Sequence, residues 1–355
     1  SPIESDGLSS PTVGAMTEDE YGNLWICTEG GGICSYNLES GKFRRFVHND
    51  HMNSISHNHA KAVYYDKKRK ALWIGTHLGG LNRFDLETKL FTHYRHEERD
   101  STSLPSDIVM DIVPVGDRLV LGTIGKLALF DPQTGRCTSL FDEKEYNNNT
   151  SFCRKLLLDH RGLLWIVNSG KGVSCYNFNT QKLTTYRQGV TENGLSSDHV
   201  NYIYEDSHKR LWLCTNEHGL ELYRSDTNDF ENYDQRKNGL SSNVVYAICE
   251  LEDNRMLVTT DNGFSILDCD TKRFVNYDKR KKIPLTSINE NSLLKCSTGE
   301  IFIGGMDGMI SFSEQEIKRT ARSYHIYPYR LIVNGQEVNV GDGTGILTEN
   351  LSMLK

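Results

Sequence analysis

The sequence has little proline, 7 residues in 355, and none of several patterns that would assign it to a familiar chemistry. No Cys-x-x-Cys pair occurs among its nine cysteines, and most of these sit inside apolar runs such as "LWICT" and "LWLCT". A zinc site and a disulfide framework are therefore not expected, and the cysteines read as small buried hydrophobes. On their own they hint at a reducing compartment. No run of Lys and Arg exceeds "DKRKK" at 278–282, and the formal net charge is −7. Nucleic acid and anionic membrane surfaces need clustered positive charge, so neither is an expected partner. No stretch approaches eighteen apolar residues, and "SPIESDGLSS" at the start is not a charged-then-apolar leader. The chain as given is expected to make no membrane contact and to carry no export signal; a piece cut from a larger protein would have lost both. Histidines cluster only as "HNDH" and "HNH" near 48–59, without HExxH or a carboxylate triad, and GxSxG is missing. No metal, cofactor or catalytic residue is expected from these absences. The "NNNTS" at 147–151 contains glycosylation sequons, which matter only in a secreted eukaryotic chain.

What is abundant is glycine, at 30 residues, and aromatic residues, at 10% with 17 Tyr. Both belong to strands and tight turns. "EDEYGNLWICTEGGGICSYN" at 18–37 reads as a β-hairpin, and "EDSHKRLWLCTNEHGLELYR" at 205–224 repeats it. With Trp25 as reference, the equivalent slots are Trp73, Val120, Trp165, Trp212, Leu257 and Phe302, at steps of 48, 47, 45, 47, 45 and 45 residues. Each unit holds a turn-led apolar run ("GLSSDHVNYIYED"), a Trp strand ("ALWIGT"), a Gly turn into a third strand ("GGLNRFD") and a closing strand ("KLFTHY").

Four short antiparallel strands per unit of this length form the blade of a β-propeller. The expected fold is all-β: a seven-bladed β-propeller over 1–320, with units near 9–53, 54–102, 103–146, 147–193, 194–238, 239–284 and 285–320. The Trp slots are expected to pack between blades, with sugar stacking as the functional alternative. The seventh unit lacks an aromatic fourth strand. Either the segment before Ser9 closes the ring, or blade seven has three strands. Beyond it, "RSYHIYPYRLIVNGQEVNV" at 322–340 reads as strands around an Asn-Gly turn. Residues 321–355 are expected to begin a second β domain, truncated at Lys355.

Propellers take ligands where the loops leading into the inner strands meet the turns between second and third strands, around a central funnel. Aligning the residue just inside each first strand gives Gly14, Lys61, Met110, Arg154, Asn201, Tyr246 and Asn291. Such a ring can hydrogen-bond sugar hydroxyls or pair with a uronate or sulfate; the alternative is a hydrated channel lining. A second ring comes from the turns: Glu29, His77, Lys126, Lys171, Asn216 with Glu217 and His218, Asp261 and Asp307. These are ligand contacts or simply polar turn residues. His59 and His199 occupy equivalent positions beside Asn58 and Asp198; the Asn or Asp, shared with Asp107 and Asn243, reads as a turn former.

"GLSSDHVNYIYEDSHKRLWLCTNEHGLELYRSDTNDFENY" and "EDEYGNLWICTEGGGICSYNLESGKFRRF" resemble the two-component regulator propeller repeat. "IYPYRLIVNGQEV" is similar to the opening of the small immunoglobulin-like domain that follows such propellers in hybrid two-component sensors of gut Bacteroidetes. Blade three matches least, with Val120 in place of Trp. The resemblance implies a periplasmic sensor propeller that binds an oligosaccharide. It would act beside a neighbouring propeller and the immunoglobulin-like domain, within a homodimeric receptor whose histidine kinase lies outside this chain. Two other readings stay open: a structural or dimerisation propeller without a ligand, and a propeller lyase or glycoside hydrolase, which needs paired carboxylates or a metal in the funnel.

Overall fold

A computed structural model describes residues 3–5, 7–141, 152–190, 194–277, 283–318, 325–327, 331–333 and 336–338. The sequons at 147–151, the basic run at 278–282 and the tail beyond 338 lie outside the described residues. Seven antiparallel sheets follow one another along the chain, each with four strands in sequence order from the axis outward, to which blade one adds a fifth. The inner strands are Val13–Glu18, Ala60–Asp66, Val109–Val115, Cys153–Leu158, Val200–Glu205, Val245–Leu251 and Ile288–Lys295. Each neighbours the next, and the last returns to the first. This is the expected seven-bladed propeller.

Neither arrangement expected for blade seven is the one found. Ile3–Ser5 does not complete it; it pairs with Phe43–Phe46 as a fifth strand on the outer edge of blade one. Blade seven has four strands, and its outermost is His325–Tyr327, paired with Met309–Ser313. The propeller's last strand thus lies beyond residue 320, in the segment assigned from sequence to the second domain. Leu331–Val333 and Gln336–Val338 pair with each other as a separate two-stranded sheet.

The second strands are buried almost end to end, as in Leu72–Thr76, because both faces of each sheet meet a neighbouring sheet. The Trp side chains fill the space between blades: Trp25 meets Phe84, Trp73 meets Phe130, and Trp165 meets Tyr223. Each ring so buried contributes about 1.5–3 kcal/mol. Trp73 and Trp165 are fully covered, so a sugar cannot stack on them.

A feature not read from the sequence explains why the Trp recurs. Its indole N–H donates to a buried aspartate at the preceding turn: Trp25 to Asp19 (2.8 Å), Trp73 to Asp66 (3.1 Å), Trp165 to Asp159 (2.9 Å) and Trp212 to Asp206 (2.9 Å). The other carboxylate oxygen accepts turn amides, as Asp206 does from His208 and Arg210. One carboxylate therefore closes the turn and satisfies the indole. In blades six and seven, where Leu257 and Phe302 replace Trp, the aspartate slot six residues earlier holds buried Leu251 and Cys296.

Burial alone would raise the Asp159 pKa, but Trp165, Arg161 and the Leu163 amide outweigh it and hold the carboxyl below its ordinary value. A folded value below the unfolded one stabilises the fold at every pH above the unfolded value of about 3.9, and that contribution is lost as pH falls through the folded value. Calorimetric melting between about pH 6 and 2 is expected to show Asp159→Asn destabilised near neutrality, with the gap to the native protein closing in acid.

The nine cysteines are free, eight of them buried. Burial pushes the thiols of Cys137, Cys175, Cys249 and Cys296 up to about 12, which keeps them protonated and unreactive.

Candidate functional site

Neighbouring blades are clasped on the face where the turns between second and third strands meet the loops leading into the next inner strand. The carbonyl of Asn58 accepts the amides of Gly30 and Gly32, that of Asp107 those of Leu78 and Gly80, that of Asp198 the Gly172 amide, and that of Asn243 the Gly219 amide. Their side-chain oxygens accept the amides of His48, His96, Gln188 and Gln235, which follow the previous blade's outer strand. The Asn or Asp beside the paired histidines is thus a joint between blades. Gly80 sits at φ 72°, and a Cβ there would collide with the Tyr94 carbonyl.

Inside that face the inner strands carry β-bulges, and the bulged residues are Lys61, Met110, Arg154, Asn201 and Tyr246. A bulge leaves one residue unpaired and re-aims its side chain, which is why five positions chosen by spacing share a structural role. Blade one departs by skipping both Gly14 and Ala15, and blade seven by a longer irregularity between Ile288 and Leu293.

That longer irregularity changes which residue of blade seven reaches the others. Arg154 of blade four donates to Glu290 Oε2 of blade seven (2.7 Å) and to Asn201 Oδ1 of blade five (3.0 Å). Asn201, itself buried, donates to the Val245 carbonyl (2.9 Å). Burial, followed by the charges of Asp261 and Glu290, raises the Tyr246 pKa and keeps its hydroxyl a donor. The sequence alignment selected Asn291, which sits at φ 54°, and found no carboxylate in the ring; Glu290 supplies one.

One step deeper, Lys155 lies 3.3 Å from Asp111 and 5.2 Å from the ring centroid of Tyr202, joining blades three, four and five. Burial would lower the Lys155 pKa, but Asp111 and Tyr202 outweigh it and the ammonium is retained. Spacing missed Lys155 and Asp111 because both follow the bulge by one residue.

The turn ring is less unified. Glu29 accepts from Lys61 at 2.6 Å, so one member of each predicted ring is spent on the other. His77 and Glu29 bridge to the next blade's loop, opposite Ile108 and His59. Burial and the neighbouring His59, His77 and His48 depress the His57 pKa, so this histidine group stays neutral at His57. Glu217 is exposed, while His218 is half-buried with Nδ1 unpartnered. Lys126, Asp261 and Asp307 are exposed and Lys171 partly so. Among the described residues, ligand atoms of His, Cys, Asp and Glu converge only at Asp159, His160 and Glu205. Hydrogen bonds account for that group: Asp159 holds Trp165 and Arg161, and Glu205 accepts from His160 Nδ1 at 2.8 Å. Three carboxylates of this face are paired with a cation, Glu290 with Arg154, Glu29 with Lys61 and Asp111 with Lys155.

The two-component regulator propeller family matches residues 7–30 and 194–217. Over 353 residues, 98% of this chain and 26% of the relative, the sequence is 23% identical to Histidine kinase P4 of Formosa agariphila. Two solved extracellular domains of hybrid two-component systems from B. thetaiotaomicron share the fold. BT3049 superposes with a TM-score of 0.71 at 24% identity, covering 87% of this chain and 41% of that one. BT4673 does so with a TM-score of 0.69 at 20% identity, covering 93% and 43%. This chain therefore spans less than half the length of each of these relatives. It is a seven-bladed propeller in which two segments match the two-component regulator propeller family, and it shares the fold of solved extracellular domains of hybrid two-component systems.

Proposed function

We propose that the chain is the ligand-sensing propeller of an extracytoplasmic receptor, non-catalytic itself, which recognises an oligosaccharide at the funnel and signals to a histidine kinase elsewhere in the protein. The observation that carries this reading is the Arg154 bridge to Glu290, flanked by Asn201 and Tyr246. An arginine held by an internal carboxylate across the ring is arranged to exchange that carboxylate for a ligand's acidic group. Glu290 is half-exposed, so the exchange leaves it in water rather than buried and unpaired. Signalling requires different ligand affinity for two arrangements of the propeller against its neighbours, either a second propeller, the immunoglobulin-like domain or a second protomer. A coupling of about 1–3 kcal/mol suffices.

A thermal-shift screen against neutral, uronate-containing and sulfated oligosaccharides tests the reading. A ligand at one hundred times its dissociation constant stabilises the fold by about 2.7 kcal/mol. Arg154→Ala is expected to weaken an acidic hit by at least about tenfold, the effect of one charge-assisted hydrogen bond of roughly 1.5–3 kcal/mol, while Glu290→Gln tightens it. A flat panel would favour a structural propeller. Turnover of a glycan, abolished in Glu290→Gln, would favour an enzyme.

A further inference from the structure

A ring of single backbone pairs runs around the funnel face, beyond the ends of the inner strands. In it the first residue of a turn between second and third strands donates its amide to a loop carbonyl of its own blade, as His77 does to His59 and Ser169 to Phe152, both at 2.9 Å. Isolated bridges join these pairs across blades, His77 to Ile108 and Ile124 to Phe152. Val109 stands opposite Thr123, and the same register sets Ile108 opposite Ile124. The ring is polar in blades one, two and five, where the two positions hold Thr12 and Glu29, His59 and His77, and His199 and Asn216. Blade three alone is apolar at both. It is also the blade whose bulged residue is Met110, standing between Lys61 and Arg154 in the ring of bulges.

Leu78 extends this apolar sector. It follows His77 as Gly30 follows Glu29, Gly125 follows Ile124 and Gly170 follows Ser169, and all four backbones lie in the left-handed region, at φ 82°, 88°, 78° and 66°. Glycine adopts that conformation without strain and leucine does not. The Leu78 amide donates to the Asp107 carbonyl as the Gly30 amide does to that of Asn58, both at 3.1 Å, so glycine fills the same backbone role elsewhere. Core packing does not offset the strain, because the Leu78 side chain is 55% exposed. Ile124 is 39% exposed, and Ile108, Met110 and Phe152 are half-buried. A strained apolar side chain held at the surface beside four others marks a contact surface. Five residues are too few for a protein interface, which takes roughly 20–30 from each partner. The sector adjoins the funnel arginine, since Phe152 lies two residues before Arg154 and the inner strands of blades three and four are neighbours. Its carboxylates, Asp107 and Asp111, accept backbone amides, and Lys126 is exposed in the same turn as Ile124.

We propose that blade three provides an apolar subsite beside Arg154, and that the funnel's ligand is an acidic saccharide bearing an apolar substituent. The acidic half of this inference rests on the function proposed above for Arg154; the apolar half rests on the five residues of the sector. Titration calorimetry compares phenyl with methyl β-glucuronide, and phenyl with methyl β-glucoside. In both pairs the phenyl glycoside is expected to bind about tenfold tighter, the effect of roughly 55 Å² of apolar surface removed from water. Leu78→Gly and Ile124→Ser are each expected to lower that phenyl-over-methyl ratio at least about threefold, the loss of roughly half of that free energy. Glycine relaxes the backbone at position 78, so the melting temperature of Leu78→Gly is expected to hold or rise while the ratio falls. Ile124→Ser carries the test if Leu78→Gly does not fold. Arg154→Ala is expected to abolish the preference for glucuronide over glucoside and to keep the phenyl-over-methyl ratio, so failure of the acidic reading and failure of this one are separable. Phenyl glycosides that bind no tighter than their methyl partners, or not at all, overturn the proposal, and so does a phenyl ratio unchanged in both sector variants. A native dimer in sedimentation that Leu78→Gly dissolves also overturns it, since the sector would then be a contact between copies of the chain.

Discussion

Asp206→Ala is expected to lower stability by roughly 3–5 kcal/mol, the cost of removing one partner from a buried, hydrogen-bonded charge pair. The side chain is fully buried. Its loss strands the Trp212 indole N–H, the amides of His208 and Arg210, and the Arg210 guanidinium together. Urea unfolding followed by circular dichroism measures the effect. Blade six fills the same slots with Leu251 and Leu257, so the chain itself contains an apolar solution. Asp206→Leu combined with Trp212→Leu is therefore expected to cost less than the two single changes added, with a coupling of at least about 1 kcal/mol between these touching residues. Strict additivity would mean that the aspartate acts on the turn alone.

Gly304→Val is expected to open the ring at its seam. Six junctions between blades are spanned by the chain, and the seventh, between blades seven and one, is not. It is held by side chains: Asn289 donates to the Val13 carbonyl and Ser292 to the Gly14 carbonyl, both at 2.8 Å. Ser297 donates to Glu18 at 2.7 Å, and Phe302 meets Tyr36. A Cβ on Gly304 would collide with Ser292 Oγ and come within 2.5 Å of Val13 Cγ1. Overpacking of this kind costs roughly 1–3 kcal/mol. Hydrogen exchange is expected to show protection falling first in Val13–Glu18 and Ile288–Lys295, the inner strands on either side. Uniform loss of protection around the ring would show instead that the seam is no weaker than the chain-spanned junctions.

Much of the fold was legible from residue order because its causes are local. A strand buried on both faces, a turn every ten residues or so and a bulky residue repeated at one step describe a blade without reference to any other blade. The aspartate six or seven residues before each Trp was equally legible, since its presence follows the Trp and its absence follows Leu257 and Phe302. It went unread because an acidic residue beside a turn already has a sufficient local explanation.

Blade number, strand order and the buried Trp slots were thus determined by sequence alone. Four things were decided only by the tertiary structure. His325–Tyr327 completes blade seven with Tyr327 opposite Met309, the slot that Tyr94 fills opposite Leu81 and Tyr277 opposite Phe264, but the helix Glu314–Lys318 intervenes and breaks the spacing that marks this strand in the other blades. Glu290 displaces Asn291 because a longer bulge offsets the residue count that spacing relies on. Arg154 finds Glu290 at a separation of 136 residues because closing a ring brings together strands that share no local pattern. A cleft opens between blades one and two where blade one lacks the arginine that three other blades place on their aspartate, and a missing side chain becomes a cavity only once the neighbouring blade walls it in.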